Sequence, residues 1–74
     1  THEVASFEYS DGTQENEIVS GGIRDGQYLL SYPNGNTKLQ CYYKAGKLHG
    51  PSMFYGEEGQ LLVRSWYIEG MQQG

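Results

Sequence analysis

The side chains in this sequence with the chemistry of a nucleophile or a base are one thiol and two imidazoles, those of Cys41, His2 and His49. A thiol nucleophile needs an imidazole within hydrogen-bond reach and a third group that orients the imidazole. Cys41 lies in the middle of a predicted strand, and His49 comes directly before a Gly-Pro pair at a predicted hairpin junction. We therefore interpret Cys41 as a small buried side chain and His49 as a turn residue, while His2 lies near the start of the chain.

The adjacent acids Glu57 and Glu58 could in principle hydrolyse a glycoside or bind a metal ion. Glycosidases need two carboxyl groups that face each other across a cleft, and metal binding needs several converging oxygens. Adjacent acids directly before Gly59 are better explained as a solvated turn. The glycine-rich segment GGIRDG at 21–26 matches neither the G-x-G-x-x-G pattern nor the phosphate loop. The sequence therefore predicts no catalytic residues, no cofactor and no metal.

Charge and composition narrow the classes of partner. Asp and Glu total 9 against 5 Lys and Arg, which gives a formal net charge of −4, and no run of Lys or Arg is present. Nucleic acid is therefore not an expected partner, and association of this segment with a membrane is disfavoured. A lone cysteine and the lack of a signal-like or membrane-spanning apolar segment favour a reducing compartment, the cytoplasm. The first residue is Thr1 rather than Met, which suggests a piece of a longer chain.

Glycines recur along the chain with a period of 24 residues, which is the main organising signal. The recurrence divides the chain into units at about 5–26, 27–50 and 51–74, which together form one repeat module. The first unit lacks one residue between its two turns, since Gly12 is 23 residues before Gly35 whereas Gly22 is 24 before Gly46. It is also the most polar, as terminal repeats often are. The predicted turn glycines are Gly12, Gly35 and Gly59, then Gly22, Gly46 and Gly70, then Gly26, Gly50 and Gly74.

Each unit is predicted to form a β-hairpin. Seven Tyr and 11 Gly are typical of half-buried strands joined by turns, and the turn dipeptides Asp11-Gly12 and Asn34-Gly35 tolerate positive φ. The predicted strands are 4–9, 15–20, 28–32, 38–43, 52–55 and 61–68, so the fold class is all-β. A core this small is marginal, so we expect support from neighbouring chain or from a partner.

An even period keeps equivalent residues of successive units on one face of the sheet. The predicted inner face contains Phe7, Val19, Leu30, Leu39, Tyr43, Phe54, Val63 and Tyr67. The opposite face becomes more apolar toward the C-terminus. Tyr and Trp are enriched at binding hot spots, although they also seal thin cores as stacked strand residues. The candidate partner-binding residues are Tyr42, Tyr55, Leu62, Arg64, Trp66 and Ile68.

The segment LLVRSWYI at 61–68 is apolar at both alternating sets of positions. Edge strands are normally short, charged or covered, so a bare strand of this composition would be adhesive. We therefore expect something to pack there, whether a further repeat of the same chain, a second copy or another protein.

Several of these segments resemble the MORN repeat, whose hallmark is Y-x-x-G-x-x-x-G. They are YKAGKLHG at 43–50, YIEGMQQG at 67–74 and the aromatic turn YPNG at 32–35. The spacing is similar to that of the bacterial YwqK-type variant, which is often labelled as an antitoxin. The first unit departs from the hallmark, with Val19 in place of Tyr. The resemblance implies a single-layer, elongated antiparallel sheet of about three tandem hairpins and six strands.

The resemblance implies several roles and does not choose among them. Our hypothesis is a non-catalytic protein-binding or scaffold module, of which antitoxin-like neutralisation is a narrower form. One alternative is an accessory region of a larger enzyme, such as a SET-domain methyltransferase or a lipid kinase. Another is association with anionic lipid, which the acidic charge opposes. The expected partner is another protein or further repeats, with self-association through the C-terminal edge strand as an option.

Overall fold

The computed structural model describes residues 1–73, and Gly74, predicted as a turn glycine, lies outside them. The described residues form one open antiparallel sheet with no helix, and so no helix that could cross a membrane. The predicted all-β class and single antiparallel sheet are confirmed. Its strands are β1 (His2–Glu8), β2 (Gln14–Ser20), β3 (Ile23–Ser31), β4 (Thr37–Lys44), β5 (Lys47–Leu48), β6 (Gly50–Tyr55), β7 (Leu61–Ile68) and β8 (Met71–Gln73).

The strands follow one another across the sheet in chain order. The order is β1-β2-β3-β4-β6-β7-β8, and β5 pairs with β4 beside β6. The sheet is a thin slab with extents of 31, 30 and 15 Å. Two short strands, β5 and β8, were not predicted, and β3 begins at Ile23 rather than at Tyr28. The reason is that successive hairpins are joined by tight two-residue turns, which leave more residues free to pair.

Three of the predicted glycines form equivalent turns at one end of the sheet. Gly12, Gly35 and Gly59 have φ values of 91°, 92° and 90°. The amide of each donates to the carbonyl three residues earlier, at 2.9, 2.9 and 3.0 Å. A residue with a side chain rarely adopts such a φ, so glycine permits this turn in every unit.

At the other end of the sheet, two-residue turns have positive φ at both central positions. The pairs are 21–22, 45–46 and 69–70, with φ values of 60° and 82°, 52° and 86°, and 50° and 84°. This is the pattern of type I′ turns, whose twist matches that of the strands they join. The first position of the pair is glycine only in the first unit, so Ala45 and Glu69 hold a left-handed conformation with a side chain.

The missing residue of the first unit is the residue that forms a β-bulge in the other two. In the β3–β4 hairpin the register shifts so that Lys38 has no cross-strand partner, and in the β6–β7 hairpin the same is true of Leu62. The β1–β2 hairpin pairs without a shift from Glu8 and Gln14 onward. Glu15 therefore occupies the position that Leu39 and Val63 occupy in the later units.

The strand pairing aligns the predicted inner face but does not bury it. One row of direct cross-strand neighbours runs through Phe7, Glu15, Leu30, Leu39, Phe54 and Val63. The ends of this row are open, because Phe7 is 57% exposed and Val63 is 52% exposed. A single sheet has no second layer to cover the row. The buried apolar residues of the described chain are Tyr28 and Cys41, which lie two residues along β3 and β4 from Leu30 and Leu39.

Candidate functional site

The structure brings five of the six candidate partner-binding residues together on the other face of β4, β6 and β7. Trp66 lies directly opposite Pro51, and Arg64 lies opposite Met53, which is itself opposite Gln40 of β4. Tyr42, Tyr55 and Ile68 are each two residues away from one of these positions, so they share the face. The sixth candidate, Leu62, is the bulge residue of β7, and its equivalent Lys38 lies beside Tyr28 and Leu30 on the opposite face. We define the C-terminal face as Tyr42, Pro51, Met53, Tyr55, Arg64, Trp66 and Ile68.

The C-terminal face combines packed and open side chains. The Gln40 amide donates to the Tyr42 hydroxyl at 3.2 Å, and the Tyr55 hydroxyl donates to the Met53 sulfur at 3.4 Å. Both tyrosines are half-buried. By contrast Trp66 and Ile68 are 48% and 44% exposed. The tyrosines therefore belong partly to the structure of the sheet, while the β7 side chains stand free of it.

Arg64 lies within this open surface and has no ionic partner among residues 1–73, where the ion pairs are those of His2 with Asp25 and of Arg24 with Glu17. Arg64 itself is exposed, and its neighbours on the face are Trp66 along β7 and Met53 across on β6. An arginine beside exposed apolar side chains can bind a carboxylate while its neighbours bury apolar area.

A buried polar cluster on the opposite face was not predicted. Glu15 is 6% exposed, and its carboxylate accepts hydrogen bonds from the hydroxyls of Tyr28 and Tyr9, the latter at 2.9 Å. The bond from Tyr28 is the main reason that the pKa of Glu15 lies below its ordinary value. Burial, followed by the bond to Glu15, raises the pKa of Tyr28. The carboxylate and the phenol are therefore fixed as an ionised acceptor and a neutral donor.

Arg24 extends the same cluster toward the middle unit. Its Nε donates to Glu17 at 2.5 Å, and this bond is the main cause of the raised pKa of Arg24. The guanidinium lies over the Tyr28 and Tyr43 rings, 4.7 and 5.3 Å from their centroids, and the two rings meet edge to face at 5.8 Å. These groups satisfy one another, so the cluster ties the first two units together rather than presenting reactive groups.

The groups considered first for nucleophilic chemistry do not form a catalytic pair among the described residues. Cys41 is 2% exposed, and burial raises the pKa of its thiol to about 11. No hydrogen bond in the described chain joins this thiol to an imidazole. His2 instead contacts Asp25 at 2.7 Å, a bond that is the main cause of the lowered pKa of Asp25. The Nδ1 atom of His49 is buried and has no hydrogen-bond partner within residues 1–73.

Glu57 and Glu58 are exposed in the turn before Gly59. The carbonyl of Glu57 accepts hydrogen bonds from the side-chain amides of Asn34 and Asn36, at 2.9 and 2.8 Å. These contacts attach the turn of the third unit to that of the second and leave the two carboxylates apart from other acids. In the part of the chain that the structure describes, no three His, Cys, Asp or Glu side chains converge as metal ligands would.

The depressions of the surface are open. One depression formed by the described residues has a volume of about 460 Å³ and lies at the turn end of β4 and β7, beside Lys44, His49 and Ile68. No protein-family model, curated protein or solved structure matches the chain.

Proposed function

We propose that this chain is a non-catalytic protein-binding or scaffold module, and that the C-terminal face is its docking surface. The observation that carries the proposal is the row of half-exposed apolar side chains on β7, with Trp66 at its centre. Tryptophan and arginine are the residues that most often dominate the energy of protein interfaces. A contiguous apolar patch of this kind on a sheet with no covering layer is typical of a surface that a partner buries.

The chemistry of the face indicates the kind of partner. Trp66 and Ile68 offer apolar area, and Arg64 beside them offers a cation without an ionic partner in the described chain. A partner segment with apolar side chains around one carboxylate would complement this arrangement. Such an ion pair selects the partner and its orientation more than it adds affinity.

The geometry of the units supports the further proposal that the module is a MORN-type repeat. The hallmark glycines Gly22, Gly46 and Gly70 occupy equivalent turns with φ of 82°, 86° and 84°. The Gly46 and Gly70 amides donate to the carbonyls of Arg24 and Leu48, both at 2.8 Å. The turn at Gly46 is thus bonded to β3, and the turn at Gly70 is bonded to β5, in each case the strand that follows the same turn of the preceding unit. These bonds give glycines at this spacing a structural role. An antitoxin, or an accessory region of an enzyme, would be a form of the same binding function.

The proposal is tested by covalent capture with matched variants. The wild-type chain, a Trp66→Ala/Ile68→Ala variant and an Ile23→Ala control would each carry a photocrosslinker at the exposed position 58. Ile23 is exposed to a similar extent, 54% against 48% and 44%, but lies at a turn outside the C-terminal face.

We expect wild type and the control to enrich the same protein and the double variant to lose at least 10-fold of that enrichment. Circular dichroism of the three chains checks that the sheet is retained. Equal capture by the double variant would refute the C-terminal face as the docking surface. Failure of the wild type to enrich any protein above an unrelated β-sheet bait would refute the binding function.

A further inference from the structure

The exposed apolar side chains of the sheet gather at its two edges. Val4 and Phe7 lie on β1, and the larger group lies on β7 and β8, namely Leu61, Leu62, Val63, Trp66, Ile68 and Met71. In the described chain, no strand pairs with the outer edge of β1, nor with the outer edge of β7 between Leu61 and Arg64. Unpaired backbone groups beside apolar side chains are a template for adding a strand.

The internal repeat shows which kind of strand fits the edge of β7. At the first unit boundary β2 pairs with β3 and places Glu15 opposite Leu30, and at the second β4 pairs with β6 and places Leu39 opposite Phe54. Val63 occupies the equivalent position on β7. Leu30 and Phe54 each lie five residues before a turn glycine, Gly35 and Gly59.

Phe7 lies five residues before Gly12 and therefore occupies the same position on β1. Strand β1 is thus the equivalent of β3 and β6, and within residues 1–73 its outer edge is unpaired. The free edge of β7 therefore lacks a partner of the β3 and β6 type, and β1 at the opposite edge of the sheet is a strand of that type.

We propose that a second copy of this chain pairs its β1 with the free edge of β7, head to tail, so that Phe7 of one copy lies opposite Val63 of the other. The contact repeats the pairing that joins the units within one chain. It concerns the edge of β7 rather than the C-terminal face and needs no other protein, so it does not depend on the proposed function.

The space along β7 suits this arrangement. β8 pairs with Trp66, Tyr67 and Ile68 only, as β5 pairs with only the last two residues of β4. β6 then follows β5 end to end along β4, pairing with Leu39 and Gln40. With Phe7 opposite Val63, residues 5–7 of an incoming β1 would lie opposite residues 63–65, next to the part of β7 that β8 occupies.

The proposed contact is heterologous, because the surface used by one copy differs from that used by the next. A head-to-tail contact that does not close into a ring produces an open series of oligomers. A contact of one strand pair is small, so we expect weak, concentration-dependent association rather than a stable dimer.

The test uses two variants that each block one edge. Phe7→Lys places a charge on β1, and Val63→Lys places one on β7, where both native side chains are more than half exposed. Ile23→Lys is the matched control, since Ile23 is equally exposed and lies on neither edge. Val4→Lys, at a side chain that is 72% exposed, is a second block of β1 in case Phe7→Lys loses the fold.

The measurement is the weight-average mass by sedimentation from 10 µM to 1 mM. We expect wild type and Ile23→Lys to rise at least twofold above the monomer mass, and each blocked variant to remain monomeric. An equimolar mixture of the two blocked variants should rise toward the dimer mass and stop there, because it contains one intact edge of each kind.

Monomeric wild type at 1 mM would overturn the proposal and leave the edge to another occupant. Dimers of either blocked variant alone would overturn it in favour of an edge that pairs with itself. A mixture that stays monomeric while wild type associates would overturn the head-to-tail register.

Discussion

Glu15 is a buried carboxylate at a position where the later units have Leu39 and Val63. It remains ionised because the hydroxyls of Tyr9 and Tyr28 donate to it. A buried charge without donors would cost several kcal/mol, so the two tyrosines are needed once the acid is present. At the residue scale the first unit is therefore held by polar bonds where the other units use apolar contact.

Removing one hydroxyl tests this interpretation. We expect Tyr28→Phe to lower the free energy of unfolding by about 1–3 kcal/mol, the range for a lost bond to a buried charge. Tyr42→Phe is the control, because its hydroxyl bonds to a half-buried amide, and it should cost less than about 0.5 kcal/mol. Urea unfolding at pH 7 measures both. Equal losses in the two variants would contradict a special role for the Tyr28 bond.

The same bond gives a pH dependence with a defined sign. The pKa of Glu15 is lowered in the folded chain, so below its ordinary value of 4.5 the unfolded chain binds more protons. Its contribution to stability is complete above that pH and is lost as the pH falls through the folded pKa. Tyr28→Phe should therefore lose less stability than wild type between pH 7 and pH 3.

At the scale of elements, two kinds of turn and one bulge define the repeating hairpin. Ala45 and Glu69 adopt left-handed φ values of 52° and 50° at the first position of type I′ turns, where the first unit has Gly21. A left-handed conformation costs a residue with a side chain about 1–2 kcal/mol. The turns of the second and third units are thus strained relative to the first.

Relieving that strain should stabilise the sheet. We expect Ala45→Gly to raise the free energy of unfolding by about 0.5–1 kcal/mol, because relief at φ 52° exceeds the entropy that glycine adds to the unfolded chain. Ala5→Gly in β1 is the matched control and should lower stability by about 0.5–1 kcal/mol, since that strand needs no positive φ. A destabilised Ala45→Gly chain would contradict the assigned turn.

The bulge predicts an unusual tolerance to deletion. Removing Lys38 should give the second hairpin the uninterrupted register of the first, at a cost of about 1 kcal/mol or less for the contact of its ammonium with the Tyr32 ring, 5.6 Å away. Removing Gln40 instead would turn the rest of β4 over, including Cys41, and abolish the fold. Cooperative thermal unfolding of both deletion variants, or of neither, would contradict the assigned register.

The sequence predicts the hairpins because the glycine period reports backbone positions directly, and the turns at Gly12, Gly35 and Gly59 are where it placed them. The buried cluster escaped prediction because its bonds cross unit boundaries, as between Glu15 and Tyr28. The sequence alone does not show which residue the first unit lacks. Glu15 can be assigned as the equivalent of Leu39 only once the structure shows that the extra residue of the second unit is the bulge residue Lys38. Burial of Phe7 and Val63 was overestimated because alternation identifies a face but not whether a second layer covers it.

At the scale of the whole molecule, both edges carry negative charge. Residues 1–26 contain six acidic side chains and one arginine, and residues 51–74 contain three and one. Head-to-tail contact between two copies would bring these regions together. Salt screens such repulsion over about 10 Å at 0.1 M.

Self-association should therefore strengthen with salt. We expect the weight-average mass of the wild-type chain at a fixed concentration to rise between 20 and 500 mM NaCl, two conditions that differ severalfold in screening length. Val63→Lys should remain monomeric at both. A mass that falls with salt would indicate association through attraction between opposite charges instead.

The central claim is that the face containing Trp66 binds another protein, and Trp66 is the chain's single tryptophan. Its fluorescence during titration with the captured partner is therefore the most direct measurement. Because Trp66 is 48% exposed in the free sheet, burial by a partner should shift its emission to shorter wavelength and protect it from acrylamide quenching, in a saturable manner. Saturating partner that leaves both the emission and the quenching of Trp66 unchanged would contradict the account.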